Sequence, residues 1–164
     1  MALAFLCSGW AATQQPAGPS QTAKAISEQL HQLSSLPDDA RAGVTKKIAR
    51  QIRKLPQGME RSGSKLGLAQ DLANLAADGD FGRDTLQEVT TTLELALGEV
   101  PLGAGQRRPD EPYLELASLA RYEHLQAGLN DRQYAAAMAK LESGDQARRE
   151  ADFTLADLEG SRGP

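Results

Sequence analysis

Few residues in this chain have the type and spacing to do chemistry, and each pattern has a definite requirement that can be checked. Ser62-Gly63-Ser64-Lys65 carries the S-x-x-K spacing of some serine acyl-enzymes, where the lysine must lie one helical turn from the serine. The run sits in a Gly/Ser-rich loop without companion motifs, so chance spacing accounts for it. Asp78-Gly79-Asp80-Phe81-Gly82-Arg83-Asp84 outlines a calcium loop, which needs glycine at its sixth place and a bidentate glutamate at its twelfth. Those places hold Arg83 and Val89, and a turn followed by a helix cap explains the same residues. His31 and His124, the only histidines, belong to no H-E-x-x-H or comparable ligand spacing. Tyr113, Tyr122 and Tyr134 read as packing residues, and no glycine-rich phosphate loop is present. The expectation is a chain with no catalytic residue, no cofactor-binding residue, no metal ligand and no cofactor.

The single cysteine, Cys7, lies in the apolar opening Met1-Ala2-Leu3-Ala4-Phe5-Leu6-Cys7-Ser8-Gly9-Trp10. Such a run is too short to span a bilayer, which takes roughly twenty residues, and it reads as the apolar part of a secretory signal. Gly9-Trp10-Ala11 offers a small-x-small cleavage point, whereas bulky Leu6 argues against lipid attachment at Cys7. Residues 1–12 are therefore a signal-like segment and 13–21 a linker, and the protein is expected to be exported, to the periplasm, without a stable membrane span. Cleavage would leave a mature chain with no thiol and no disulfide.

The remaining chemistry is charge. Lys46, Lys47, Arg50, Arg53 and Lys54 gather on one predicted helix, but the whole chain carries a net charge of −4 and only 4% aromatic residues. A solvated helix face fits this better than a nucleic-acid or lipid surface, which would use stacking aromatics or a broad positive field. A protein partner is expected, and no nucleic acid.

The elements that must position these residues are helical. Apolar content is 40% over 164 residues, mostly leucine and alanine, enough for one principal domain. Ile26, Leu30 and Leu33 step by four and three, predicting a first helix from residue 22. Pro37-Asp38-Asp39 opens a second, running to about Leu55 with Val44, Ile48 and Ile52 inward. A third from about Ser64 carries Leu68, Leu72 and Leu75 and stops at Gly79. Asp84 is the expected cap of a fourth, whose stripe is Leu86, Val89, Leu93, Ala96 and Leu97, with Thr90-Thr91-Thr92 lowering local propensity. After an irregular stretch over 98–112 come a fifth helix over 113–126 and a sixth from Asn130 or Asp131, with Tyr134, Met138 and Leu141 inward, ending near Ser143-Gly144 or fraying into the charged run Asp145 to Glu150. The fold expected is all-α, about six helices in antiparallel hairpins spanning 22–150, as an irregular bundle or a short helical stack, followed by a short extended tail.

That tail is Ala151-Asp152-Phe153-Thr154-Leu155-Ala156-Asp157-Leu158-Glu159-Gly160, where Phe153 and Leu155 alternate with polar residues as in a strand. Asp152, Phe153, Leu155, Asp157, Leu158 and Gly160 resemble the opening of thioredoxin-like redoxins of the TlpA type, related to AhpC/TSA proteins. Upstream, Gly79-Asp80-Phe81-Gly82-Arg83-Asp84-Thr85-Leu86-Gln87-Glu88-Val89-Thr90-Thr91-Thr92-Leu93 and Leu119-Ala120-Arg121-Tyr122-Glu123-His124 resemble the helical region found ahead of such redoxins in soil-type bacteria. The resemblance implies that 151–164 begins a thioredoxin-like domain truncated before its W-C-x-x-C loop. It implies, for this chain, a redox-inert, non-catalytic helical region of an exported bacterial thiol-disulfide oxidoreductase, with its own missing C-terminal domain or another protein as partner. A free-standing helical interaction module is the alternative.

Overall fold

A computed structural model describes residues 18–56, 64–77, 79, 81–100 and 109–160, with 150–160 described by backbone alone. The signal-like segment, Cys7, Ser62, Asp78 and Asp80 lie outside the described residues. Six helices follow one another: α1 Pro19–Leu33, α2 Asp38–Arg53, α3 Lys65–Ala77, α4 Arg83–Glu99, α5 Asp110–Tyr122 and α6 Arg132–Gly160. No strand occurs among the described residues, so the all-α expectation holds.

The apolar stripes form the core as their spacing predicts. Ile26, Leu30, Leu33, Ile48, Ile52, Leu68, Leu72, Val89, Leu93 and Leu97 are all buried. Each such side chain contributes roughly 1.5–3 kcal/mol by leaving water. Central in this packing is α4, which lies against α2, α3 and α5, while α1 lies against α2 and α3. Because α4 has core on several sides, three of its threonines are buried, and two return their hydroxyls to their own helix. Thr90 donates to the Leu86 carbonyl at 2.8 Å and Thr92 to the Glu88 carbonyl at 2.7 Å. A buried hydroxyl satisfied in this way escapes the cost of an unmade hydrogen bond.

Several boundaries differ from those expected, each for a local reason. Helix α1 starts at Pro19, inside the expected linker, since proline fits a first helical turn. Gly82, at φ +71°, takes the N-cap position of α4, so Asp84 sits in the first turn instead of capping it. Helix α5 begins at Asp110, where Asp110, Glu111 and Pro112 make a favourable first turn, and ends at Tyr122. The start of α6 is as expected: Asp131 accepts the Tyr134 backbone N–H through Oδ1 at 2.8 Å.

Two larger corrections concern α6. It does not end at Ser143-Gly144 but continues to Gly160, so the extended tail over 151–160 is helical and the boundary placed at 150/151 falls inside the helix. Ser143 turns its hydroxyl back to the Ala139 carbonyl at 2.9 Å, and a helix satisfies its own backbone where a lone strand has no ladder to join. Ala151, Leu155, Ala156, Leu158 and Glu159 are also good helix formers.

The second correction is orientation. Gln133 at the start of α6 reaches Asp110 at the start of α5 (3.3 Å), and Arg121 near the end of α5 reaches Asp145 (2.9 Å). The offset stays close to constant along the pair, so α5 and α6 run parallel where an antiparallel hairpin is expected. A parallel pair needs a return crossing, and residues 124–130, which belong to no helix, supply it. Seven residues can reach at most about 23 Å, enough to return along the roughly 20 Å of the thirteen-residue α5.

Candidate functional site

The return crossing is held on α4 by side chains that address its backbone. Arg83 donates to the His124 carbonyl at 2.9 Å. Gln87 makes a reciprocal pair with Gln126, donating through Nε2 to its carbonyl (2.8 Å) and accepting its N–H through Oε1 (2.9 Å). Glu94 Oε1 accepts the Gly128 N–H at 3.1 Å. Alternate residues 124, 126 and 128 are thus fixed by α4 positions 83, 87 and 94, which share one helix face. Between them Leu125 is buried, and Ala127 and Leu129 are partly buried against the core. At the head of this strap His124 has φ +52°, the one non-glycine residue with positive φ among the described residues. The left-handed conformation lets the chain reverse directly after α5.

At its far end the strap passes into α6 through Asp131. While Oδ1 caps α6, Oδ2 accepts the hydroxyl of buried Tyr113 at 2.7 Å, so one carboxylate ties α5 to the start of α6. At the other end of α5, Asp145 accepts Arg121 Nε and the Tyr122 hydroxyl at 2.8 Å, and Glu142 lies 3.3 Å from Arg121. The hydrogen bonds from Arg121 and Tyr122 hold the Asp145 carboxyl below its ordinary pKa, and the same carboxylate raises those of Arg121 and Tyr122. Burial, with Glu94 nearby, raises that of Tyr134. Among the described helices α6 packs along α5, and beyond Asp145 no other described helix lies beside it.

Most of the residues singled out for chemistry are occupied structurally. Lys65 is buried, donates to the Arg53 carbonyl at the end of α2 (2.8 Å), and lies 2.6 Å from Glu99 Oε2. That approach is off the hydrogen-bond direction and is a charge contact, not a directed bond. Its amine is thereby engaged between α2 and α4, while Ser62 lies outside the described residues. On the basic helix, Arg53 pairs with Glu88 at 2.6 Å and Arg50 lies 3.9 Å from the same carboxylate, while Lys47 and Lys54 are solvent-facing. The open groove between α2 and α4, about 400 Å³, places Lys46 and these arginines opposite Asp84 and Glu88, so the two signs largely offset one another. His31 is exposed at the end of α1 and His124 exposed at the strap, and they are not brought together. Among the described residues no group of three His, Cys, Asp or Glu could hold a metal, and no helix is long and apolar enough to cross a membrane.

The strap clamp and the double role of Asp131 were not legible locally. Their partners lie 18 to 41 positions apart. The only trace is that Arg83, Gln87 and Glu94 form a polar line on an otherwise core-forming helix. The chain matches no protein-family model, and no curated protein or solved structure is similar to it.

Proposed function

We propose that this chain is a non-catalytic helical interaction region whose business end is α6, and that its partner is a thioredoxin-like domain of an exported protein. The observation that carries the reading is the reach of α6. Its companion α5 ends opposite Asp145, while α6 continues from Gln146 to Gly160, about 22 Å further at 1.5 Å per residue. A helix held firmly along one half, and with no described helix beside the other, suits the positioning of a second protein body. Thiol exchange needs an activated thiolate and a resolving thiol, and Cys7 is the single cysteine of this sequence. The redoxin partner rests on the resemblance of residues 79–93, 119–124 and 152–160, the last of which are helical in this chain.

Two measurements test the reading. The purified chain should leave the rate of insulin reduction by dithiothreitol unchanged, and an acceleration would overturn the non-catalytic role. Reading the gene past codon 164 should reveal an in-frame W-C-x-x-C. A stop codon there, with no redoxin in the neighbouring genes, would remove the thioredoxin-like partner and leave a free-standing interaction module.

A further inference from the structure

The strap and α6 form an arm whose attachments to the body, apart from the Arg83 bond to the His124 carbonyl, all lie beyond residue 124 and are independent of the covalent link to α5. The strap is fixed by side chains of α4, and among the described helices α6 packs along α5. Nothing in those contacts requires that arm and body belong to the same chain. The link between them is the sharp reversal at Glu123-His124, where His124 is held at φ +52°. A left-handed residue with a side chain is strained, and straightening the reversal relieves it. The straightened chain carries strap and α6 away from their own body but leaves every arm contact beyond the hinge available on a second copy.

We propose that this protein dimerises by exchanging the arm 125–160 between two copies, with His124 as the hinge. In the exchanged dimer each strap lies on the partner copy's α4 and each α6 on the partner copy's α5. The bond from Arg83 to the His124 carbonyl, which belongs to the hinge, is the one attachment that the opening puts at stake. Exchange of an identical element is an inexpensive route to a dimer because it creates the interface from contacts the monomer already has.

Charge complementation tests this directly. R121D and D145R each place like charges between α5 and α6 within a single chain. After exchange between the two variants, one α5–α6 pair sets the two substituted positions against each other with opposite charges, and the other keeps the native Arg121 and Asp145. Each variant alone should sediment mainly as monomer after refolding, whereas an equimolar mixture refolded together at high concentration should give a dimer several-fold enriched over either. Adding H124G to both chains relieves the closed hinge and should lower that dimer fraction several-fold, with circular dichroism confirming unchanged helicity. A mixture that stays monomeric, or a dimer formed equally well by the single variants, would overturn the proposal.

Discussion

Gln87 and Gln126 are joined by both ends of one side-chain amide, Nε2 to the Gln126 carbonyl and Oε1 to its N–H, so the side chain of a helix residue addresses both backbone groups of a strap residue. The bond geometry reads backbone, not side chain, at position 126. Gln87→Leu should therefore destabilise the protein by about 1–2 kcal/mol, from two lost bonds of roughly 1 kcal/mol each. Gln126→Ala should cost almost nothing. Urea denaturation of both variants checks the contrast, and equal effects would contradict the backbone reading.

Lys65 joins three helices through the Arg53 carbonyl and the Glu99 carboxylate. Lys65→Met removes the cation and strands a partly buried carboxylate, an expected loss of about 1–3 kcal/mol. The double variant Lys65→Met, Glu99→Leu should recover part of that loss. Chemical denaturation of the four-member cycle measures the coupling, and additivity of the two single changes would show that the pair is not coupled.

Asp145 gives the junction of α5 and α6 a dependence on acid. Its carboxyl titrates below the ordinary value because Arg121 and Tyr122 hydrogen-bond its charged form. A group whose folded pKa is depressed contributes stability above its unfolded pKa and loses it as pH falls through the folded one. The contribution should be complete at neutral pH and decline on the acid side of the normal aspartate range. Asp145→Asn should flatten that acid limb in a series of melting temperatures against pH, and an unchanged slope would assign it to other groups.

Continuity of α6 can be tested at Gly144, where an added Cβ meets nothing within 4 Å. In an unbroken helix Gly144→Ala should raise helical content and stabilise by up to about 1 kcal/mol. Far-ultraviolet circular dichroism and thermal melting provide the readout. A destabilising effect would mean that residue 144 ends the helix, as its composition suggests.

What could be read from the residues was whatever repeats locally. Ile26, Leu30 and Leu33, or Val89, Leu93 and Leu97, recur at helical steps within a few turns, and they are buried where that pattern puts them. Ends were harder. Pro109 to Pro112 resembles a loop by composition, although the same residues make a good first helical turn. Phe153 and Leu155 alternate over so short a stretch that strand and helix are equally compatible with them, and the backbone takes the helix. The parallel course of α5 and α6 depends on pairings such as Arg83 with residue 124, which leave no periodic trace in either segment.

The crossing between α5 and α6 also governs the sequence of events in folding. Neighbouring helices linked by a tight turn can associate as soon as they form, but α6 reaches its place only after seven residues have been laid along a surface that α4 provides. Bringing the strap onto α4 closes a loop of 34 to 41 residues, an entropy cost that the local helix pairs do not carry. On a nascent chain α4 and α5 are made before the strap and α6, so the surface that receives the final segment precedes it in synthesis.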